Sequence, residues 1–158
     1  MSDRTRADAV YAALLERQGE QWVQPRVERT RRVLELLADP QRTYRVIHVT
    51  GTNGKTSTSR MIESLLRAMG LRTGLFTSPH LERFTERILI DGEPVADAAI
   101  ADAWDEIQPF VGMVDAELAA AGDAPLTFFE LLTVLAFVVA ADAPIDVLVL
   151  EVGMGGEW

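Results

Sequence analysis

Residues 46–69 constrain this chain more than any other stretch. Val46, Ile47 and Val49 run into Thr50-Gly51-Thr52-Asn53-Gly54-Lys55-Thr56-Ser57, and Met61, Ile62, Leu65, Leu66 and Met69 run out of it at helical spacing. A strand, a glycine-bearing turn and a helix opening on Gly-Lys-Thr together form a phosphate cradle. Gly51 and Gly54 permit backbone angles that a side chain forbids, so successive amides of Thr52, Asn53, Gly54, Lys55, Thr56 and Ser57 can point inward. The helix that follows adds unpaired N–H groups and the positive end of its dipole. Lys55 would set a point charge on the β- and γ-phosphates, and Thr56 an oxygen on Mg²⁺. The common spelling wants glycine five positions before Gly54, where Val49 stands, so the alternative is a chance Gly-Lys-Thr in an ordinary turn. Lys55 is the only lysine; the other fourteen basic residues are arginine.

The flanking pattern predicts an α/β fold. Helices are expected over 5–17 (stripe Ala9, Val10, Ala13, Leu14) and 26–38 (Val27, Thr30, Leu34, Leu37). A strand over 44–49, a helix over 55–69 capped by Gly70, and a second strand over 71–77 follow, with Gly74 its weak point. Residues 80–86 read as a polar loop, 87–90 as a short strand, and Asp91-Gly92 as a tight turn. Asp97 opens a helix to about Val114, with Ile100, Ala103, Trp104, Ile107 and Val111 inward, and 115–124 read as an acidic linker. Thr127 and Glu130 spell a capping box for an apolar helix to about Ala141. Ile145 to Leu150 is the continuous apolar run of a central parallel strand. The expected architecture is an open, mostly parallel sheet flanked by helices, of the P-loop NTPase kind. Residues 1–43 read as an N-terminal helical segment packed on an ATP-binding domain over 44–158.

Charge and composition narrow the function classes. Net charge is −9, which argues against indiscriminate nucleic-acid binding. Residues 1–60 carry 11 basic and 7 acidic side chains, whereas 61–158 carry 4 and 17. A basic half beside the cradle can favour anions, or can simply be solvated helix faces. With no cysteine there is neither a disulfide framework nor a thiolate zinc site. Neither a signal peptide nor an apolar run of membrane-spanning length is present, so a cytoplasmic protein without membrane partners is expected. The chain stops at Gly155-Gly156-Glu157-Trp158, directly after the strongest later strand, which reads as a functional loop cut open and the protein as truncated.

Other residues join the cradle. Glu151 ends the apolar strand where open α/β sheets place ligand groups, and its carboxylate can reach a metal; an acidic cap on the sheet is the plainer reading. Ser78 ends the preceding strand and can offer a second hydroxyl. His80, Glu82, Arg83, Phe84 and Arg87 cluster in the next loop, a candidate lid. His48 and His80 lack ligand spacing, which disfavours zinc, and His48 reads as structural. Phe128 and Phe129 beside the Thr127 cap are equally suited to core packing and to stacking a flat ligand.

Val49 to Ser57, Thr77-Ser78-Pro79-His80-Leu81, Phe84-Thr85-Glu86-Arg87-Ile88, Leu126-Thr127-Phe128-Phe129-Glu130 and Leu150-Glu151-Val152-Gly153-Met154-Gly155-Gly156 stand in an order that resembles the folylpolyglutamate synthase/dihydrofolate synthase family, within the Mur ligases. The likeness covers about residues 25–158. It implies a Mur ligase central domain followed by a Rossmann-like glutamate-binding domain absent from this chain. It implies ATP- and Mg²⁺-dependent amide formation. A dihydropteroate or reduced-folate carboxylate takes the γ-phosphate, and the amine of L-glutamate then attacks the acyl phosphate. By position, Lys55 and the backbone of Thr52 to Thr56 hold the triphosphate, with Lys55 and Glu151 the catalytic pair. Thr56, Ser78 and Glu151 match magnesium ligands. Pro25, His80, Phe84, Arg87, Thr127 and Phe129 match substrate-side residues. The resemblance further implies a bifunctional enzyme, a monomer, and a chain inactive by itself. The family continues past Gly156 with an Asp-x-Thr-Asn segment that this sequence lacks, and Glu157-Trp158 departs from its usual continuation. Alternatives are a Mur-type ligase of cell-wall precursors and a nucleotide-binding module without ligase activity.

Overall fold

A computed structural model describes residues 1–17, 26–78 and 82–153. The expected connector residues Trp22, Val23 and Pro25, and the loop residues Pro79, His80 and Leu81, lie outside the described residues, as do Gly155 and Gly156. The chain divides into two compact units, residues 1–40 with 97–139, and 41–96 with 140–158. Residues 97–139 group with the N-terminal helices.

The first unit is helical. It holds α1 (Asp3–Leu15), α2 (Val27–Leu36), α4 (Asp97–Ala120) and most of α5 (Phe128–Asp142). α1 buries Ala7, Val10 and Leu14, so the stripe is rotated from the expected one and Ala9 faces out. α2 buries Val33, Leu34 and Arg29. α4 buries Ile100, Ala103, Ile107 and Val111 as expected, and Trp104 partly. α4 also outlasts its expected end at Val114. The supposed linker begins Asp-Ala-Glu-Leu-Ala-Ala, which are mostly strong helix formers, and the helix stops only at Gly122, whose φ is 75°.

Charge asymmetry along the sequence becomes ion pairing within this unit. Arg6 donates to Asp102 at 2.8 Å and Asp105 at 2.9 Å, Arg17 to Asp115 at 2.6 Å, and Arg32 to both Glu117 oxygens at 3.1 and 2.9 Å. The arginines of α1 and the α2 region thus read the acidic face of α4. Exposed pairs add little stability, so their main effect is on register.

α5 begins as the sequence spells it. The Thr127 hydroxyl accepts from the Glu130 N–H at 3.3 Å, and the Glu130 carboxylate accepts from the Thr127 N–H at 2.8 Å. The helix is buried nearly all round, with Leu131, Leu132, Val134, Leu135 and Ala136 at 0% exposure. Its Phe128 ring meets Tyr11 edge-on, with centroids 6.5 Å apart.

The second unit carries the sheet and α3 (Lys55–Ala68). Its strands are β1 (Arg45–Val49), β2 (Thr73–Phe76), β3 (Ile88–Ile90), β4 (Glu93–Pro94) and β5 (Val147–Glu151), in spatial order β1-β5-β2-β3-β4. β1, β5 and β2 are parallel, with Val49 opposite Glu151 and Phe76 opposite Leu150. β3 and β4 extend the sheet antiparallel through Asp91-Gly92, whose φ values of 51° and 84° fit a hairpin turn that needs both residues left-handed. One face of the sheet packs Leu75, Leu89 and Val149 against Val49 and against Ile62 and Leu66 of α3.

Gly74, the weak point of β2 in sequence terms, has a packing reason. A Cβ there would lie 2.8 Å from Ile145 Cδ1 and 3.0 Å from Leu148 Cδ1. Beside it, β2 is held by carboxylates from three directions. Glu63 accepts from the Thr73 hydroxyl at 2.6 Å, Asp91 from the Thr73 N–H at 2.9 Å, and Asp146 from the Arg72 N–H at 2.7 Å. The polar loop expected over 80–86 is instead, from Phe84 to Arg87, a 3-10 turn with Phe84, Thr85 and Arg87 buried. Glu86 holds it by accepting from the N–H groups of Glu82 and Arg83 at 3.2 and 3.1 Å.

Candidate functional site

Three parallel strands bring their C-terminal ends to one edge of the second unit, and the candidate phosphate residues gather there. β1 runs out at Val49 and the chain turns through Thr50 to Gly54 into α3. Two positions in that turn need glycine: Gly51 at φ 150° and Gly54, the helix N-cap, at φ 71°. The Gly54 carbonyl accepts from the Thr58 N–H at 2.9 Å, so the helix is wound from its first residue. Thr52, Asn53, Gly54, Thr56 and Ser57 are exposed and Lys55 half-buried. An exposed loop at the N-terminus of a helix of 14 residues keeps its amides accessible to an anion.

Glu151 ends β5 beside this loop and is 5% exposed. Its Oε1 accepts from the Thr56 hydroxyl at 2.7 Å, whereas its Oε2 is buried with no hydrogen-bond partner among the described residues. A buried carboxylate oxygen without a donor is costly. A cation would relieve that cost, so the donor set fits magnesium, a hard ion that takes oxygen ligands. Ser78, two residues past the end of β2, is half-buried at the same edge, since Phe76 is in register with Leu150. Among the described residues no group of three His, Asp or Glu gathers as a metal cluster. A hydroxyl–carboxylate set is a different kind of site.

The substrate-side residues fare differently. Phe84 and Arg87 are buried in the 3-10 turn between β2 and β3, and the Arg87 carbonyl accepts from the Thr77 N–H at 2.9 Å. Thr127 and Phe129 belong to the first unit. The Thr127 hydroxyl serves the helix cap, and the Phe129 carbonyl accepts from Thr133 Oγ1 at 2.8 Å. Pro25 and His80 lie outside the described residues. His48 is an exposed residue of β1, in register with Leu150. Sequence reasoning missed Glu86, visible in the Phe-Thr-Glu-Arg stretch but without a role until its carboxylate is seen to hold the turn.

A cleft of about 410 Å³ in the first unit is lined by Arg26, Arg29, Arg32, Glu117 and Asp123, among others. Two of its arginines are already paired. Arg29 pairs with Asp123 at 3.1 Å and the Ala124 carbonyl at 2.9 Å, and Arg32 with Glu117.

Comparison with known proteins agrees with this geometry. The Mur ligase middle domain family matches residues 49–91. The dihydrofolate synthase/folylpolyglutamate synthase of Mycobacterium tuberculosis is 46% identical over 139 residues, 86% of this chain and 28% of that protein. The folylpolyglutamate synthase of Lacticaseibacillus casei is 42% identical over 139 residues, 84% of this chain and 32% of that protein. Among solved structures, M. tuberculosis folylpolyglutamate synthase complexed with ADP and AMPPCP superposes with a TM-score of 0.90 at 42% identity, covering 99% of this chain and 34% of that one. The Thermotoga maritima folylpolyglutamate synthase gives 0.85 at 32% identity, over 98% and 34%. The chain thus spans about a third of the length of the relatives it matches. With the loop, the sheet order and these relatives in agreement, the chain is similar over most of its length to folylpolyglutamate synthase/dihydrofolate synthase proteins and, over residues 49–91, to the Mur ligase middle domain.

Proposed function

We propose that this chain supplies the ATP- and magnesium-binding part of an amide-forming ligase that adds L-glutamate to dihydropteroate, to reduced folates, or to both. The observation that carries this reading is the contact between Thr56 and Glu151, which joins the start of the phosphate-loop helix to a buried carboxylate with one free oxygen. Relatives solved with ADP and AMPPCP support the nucleotide, and relatives named for folylpolyglutamate and dihydrofolate synthesis support the acceptor.

Lys55 and the amides of Thr52 to Thr56 hold the triphosphate, and Thr56, Ser78 and Glu151 hold magnesium. The ion, when bound, neutralises phosphate charge. The acceptor's carboxylate takes the γ-phosphoryl group as ADP leaves, and the amine of glutamate then displaces phosphate from the acyl carbon and loses its proton. The protein's share is alignment and charge neutralisation. Pro25, His80, Phe84, Arg87, Thr127 and Phe129 belong to the acceptor side in this reading. The glutamate site lies in the part of the relatives' length that this chain does not span, so the chain alone carries out no ligation. The complete enzyme works in the cytoplasm as a monomer.

Titration of the chain with a fluorescent ATP analogue, with and without magnesium, tests the cradle. Lys55→Met is expected to weaken binding by about 10-fold or more, the worth of a charge-assisted contact. Unchanged binding would remove the loop from the reading. Turnover of the full-length protein with dihydropteroate and with tetrahydrofolate then identifies the acceptor.

A further inference from the structure

Residues 123–127, between α4 and α5, belong to no helix or strand, and side chains hold the backbone from Ala124 to Thr127. Arg29 of α2 donates from Nη1 to the Ala124 carbonyl at 2.9 Å and pairs through Nη2 with the Asp123 carboxylate at 3.1 Å. Asp115 of α4 accepts the Leu126 N–H on Oδ1 at 2.9 Å and the Arg17 guanidinium on Oδ2 at 2.6 Å. Glu130 takes the next amide, that of Thr127, at 2.8 Å. Thus α2, α4 and α5 each give a side chain to this short segment.

Arg29 is 7% exposed, a costly place for a guanidinium. Desolvation of a buried charge pair offsets much of its attraction, so apolar packing would stabilise the segment as well. What the charged groups add is direction. A guanidinium fork and a two-oxygen carboxylate each fix a backbone group in one place. The segment leads straight into Phe128 and Phe129. Phe128 is buried, with its ring edge-on to Tyr11 of α1, whereas Phe129 is half-buried. The two rings, equally suited to the core by sequence, therefore divide. Phe128 anchors the start of α5, and Phe129 is the ring with surface left for a flat ligand.

We propose that Arg29 and Asp115 are positioning residues for the acceptor: they fix residues 123–126, and through them the aim of Phe129 at the flat heterocycle of a pteroate or folate. The proposal rests on the reading of Phe129 as an acceptor-side residue. A binding group must be held to within about half an ångström by neighbours that are themselves locked. Arg29 and Asp115 meet that condition, being held by Asp123 and Arg17. Both act within the first unit, whereas the phosphate loop belongs to the second, so acceptor binding is the step they govern.

Steady-state kinetics of the full-length protein test this, with dihydropteroate or tetrahydrofolate as acceptor. Asp115→Ala is expected to raise KM for the acceptor by about 10-fold, the worth of a stacked ring, while KM for ATP stays within about twofold of the wild-type value. Asp115→Asn keeps an oxygen for the Leu126 N–H and recovers most of that loss. Arg29→Lys keeps the charge but gives up the fork, and raises the acceptor KM by about 3-fold or more. An unchanged acceptor KM in Arg29→Lys overturns the proposal, and that variant carries the test by itself if the alanine variant does not fold. An equal rise in both KM values also overturns it, as does a lowered melting temperature with both KM values unaltered, because the clamp then serves stability only. A wild-type enzyme that turns over neither acceptor overturns the underlying reading, and the proposal with it.

Discussion

The Thr56 hydroxyl donates to Oε1 of Glu151 at 2.7 Å, across 95 positions of sequence. One residue opens the helix after the phosphate loop and the other closes the strand beside it. Substituting Glu151 by Gln preserves an acceptor for Thr56 and removes the charge. Nucleotide binding by Glu151→Gln should lose its dependence on magnesium. Thermal stability should hold or rise by about 1 kcal/mol, because the amide no longer leaves a charged oxygen buried without a partner. Parallel binding and melting experiments read both effects. Retained magnesium dependence would take the metal away from Glu151.

Thr127→Ala removes one half of the reciprocal cap on α5. The Glu130 N–H loses its acceptor, and the chain should be destabilised by about 1 kcal/mol in urea unfolding. Thr127→Ser should recover most of that loss. If Thr127 also meets the acceptor substrate, the serine variant separates the roles, since it keeps the hydroxyl and drops the methyl group.

Gly74 tests the spacing of the sheet. Valine there would meet Ile145 and Leu148 inside the core, and a loss of about 2 kcal/mol is expected, with a smaller loss for alanine. Denaturant melts of Gly74→Ala and Gly74→Val give the ranking. A stable valine variant would show that the two aliphatic side chains have room to yield.

Burial pushes the Tyr44 phenol above its ordinary value of 10.0. The folded state therefore favours the protonated phenol. Its contribution to stability is complete below pH 10 and declines as the unfolded phenol ionises above that point. Stability should fall with rising pH from there, and Tyr44→Phe should flatten the slope. Phenolate absorbance followed during alkaline titration, beside unfolding monitored by circular dichroism, measures both.

Much of this was legible in the sequence because the signals were local. The phosphate loop, the Thr127–Glu130 box, the Asp91-Gly92 hairpin and the apolar run of β5 each depend on a few adjacent residues. The length of α4 was misjudged, because small acidic residues look like a linker when helix propensity and the stop at Gly122 are not weighed. Phe84 to Arg87 looked polar by composition and is buried, since Glu86 ties down its own loop. The meeting of Glu151 with Thr56 follows from strand order, which no local pattern encodes. The grouping of residues 97–139 with the N-terminal helices was hidden for the same reason. Arginines pairing with acids some hundred positions away set the register within it.

The sheet order β1-β5-β2 separates β1 and β2 by a strand that comes more than seventy residues after either of them. During synthesis both must therefore wait without their shared neighbour, and the sheet closes only when Val147 to Glu151 arrives. Such non-local closure is slow. A ribosome paused before Ile145 would hold a chain whose helices can form but whose phosphate loop has no floor. The carboxylate and the strand that carries it arrive together, so the contact of Glu151 with Thr56 and the joining of β1 to β2 through β5 are a single event in the life of the molecule.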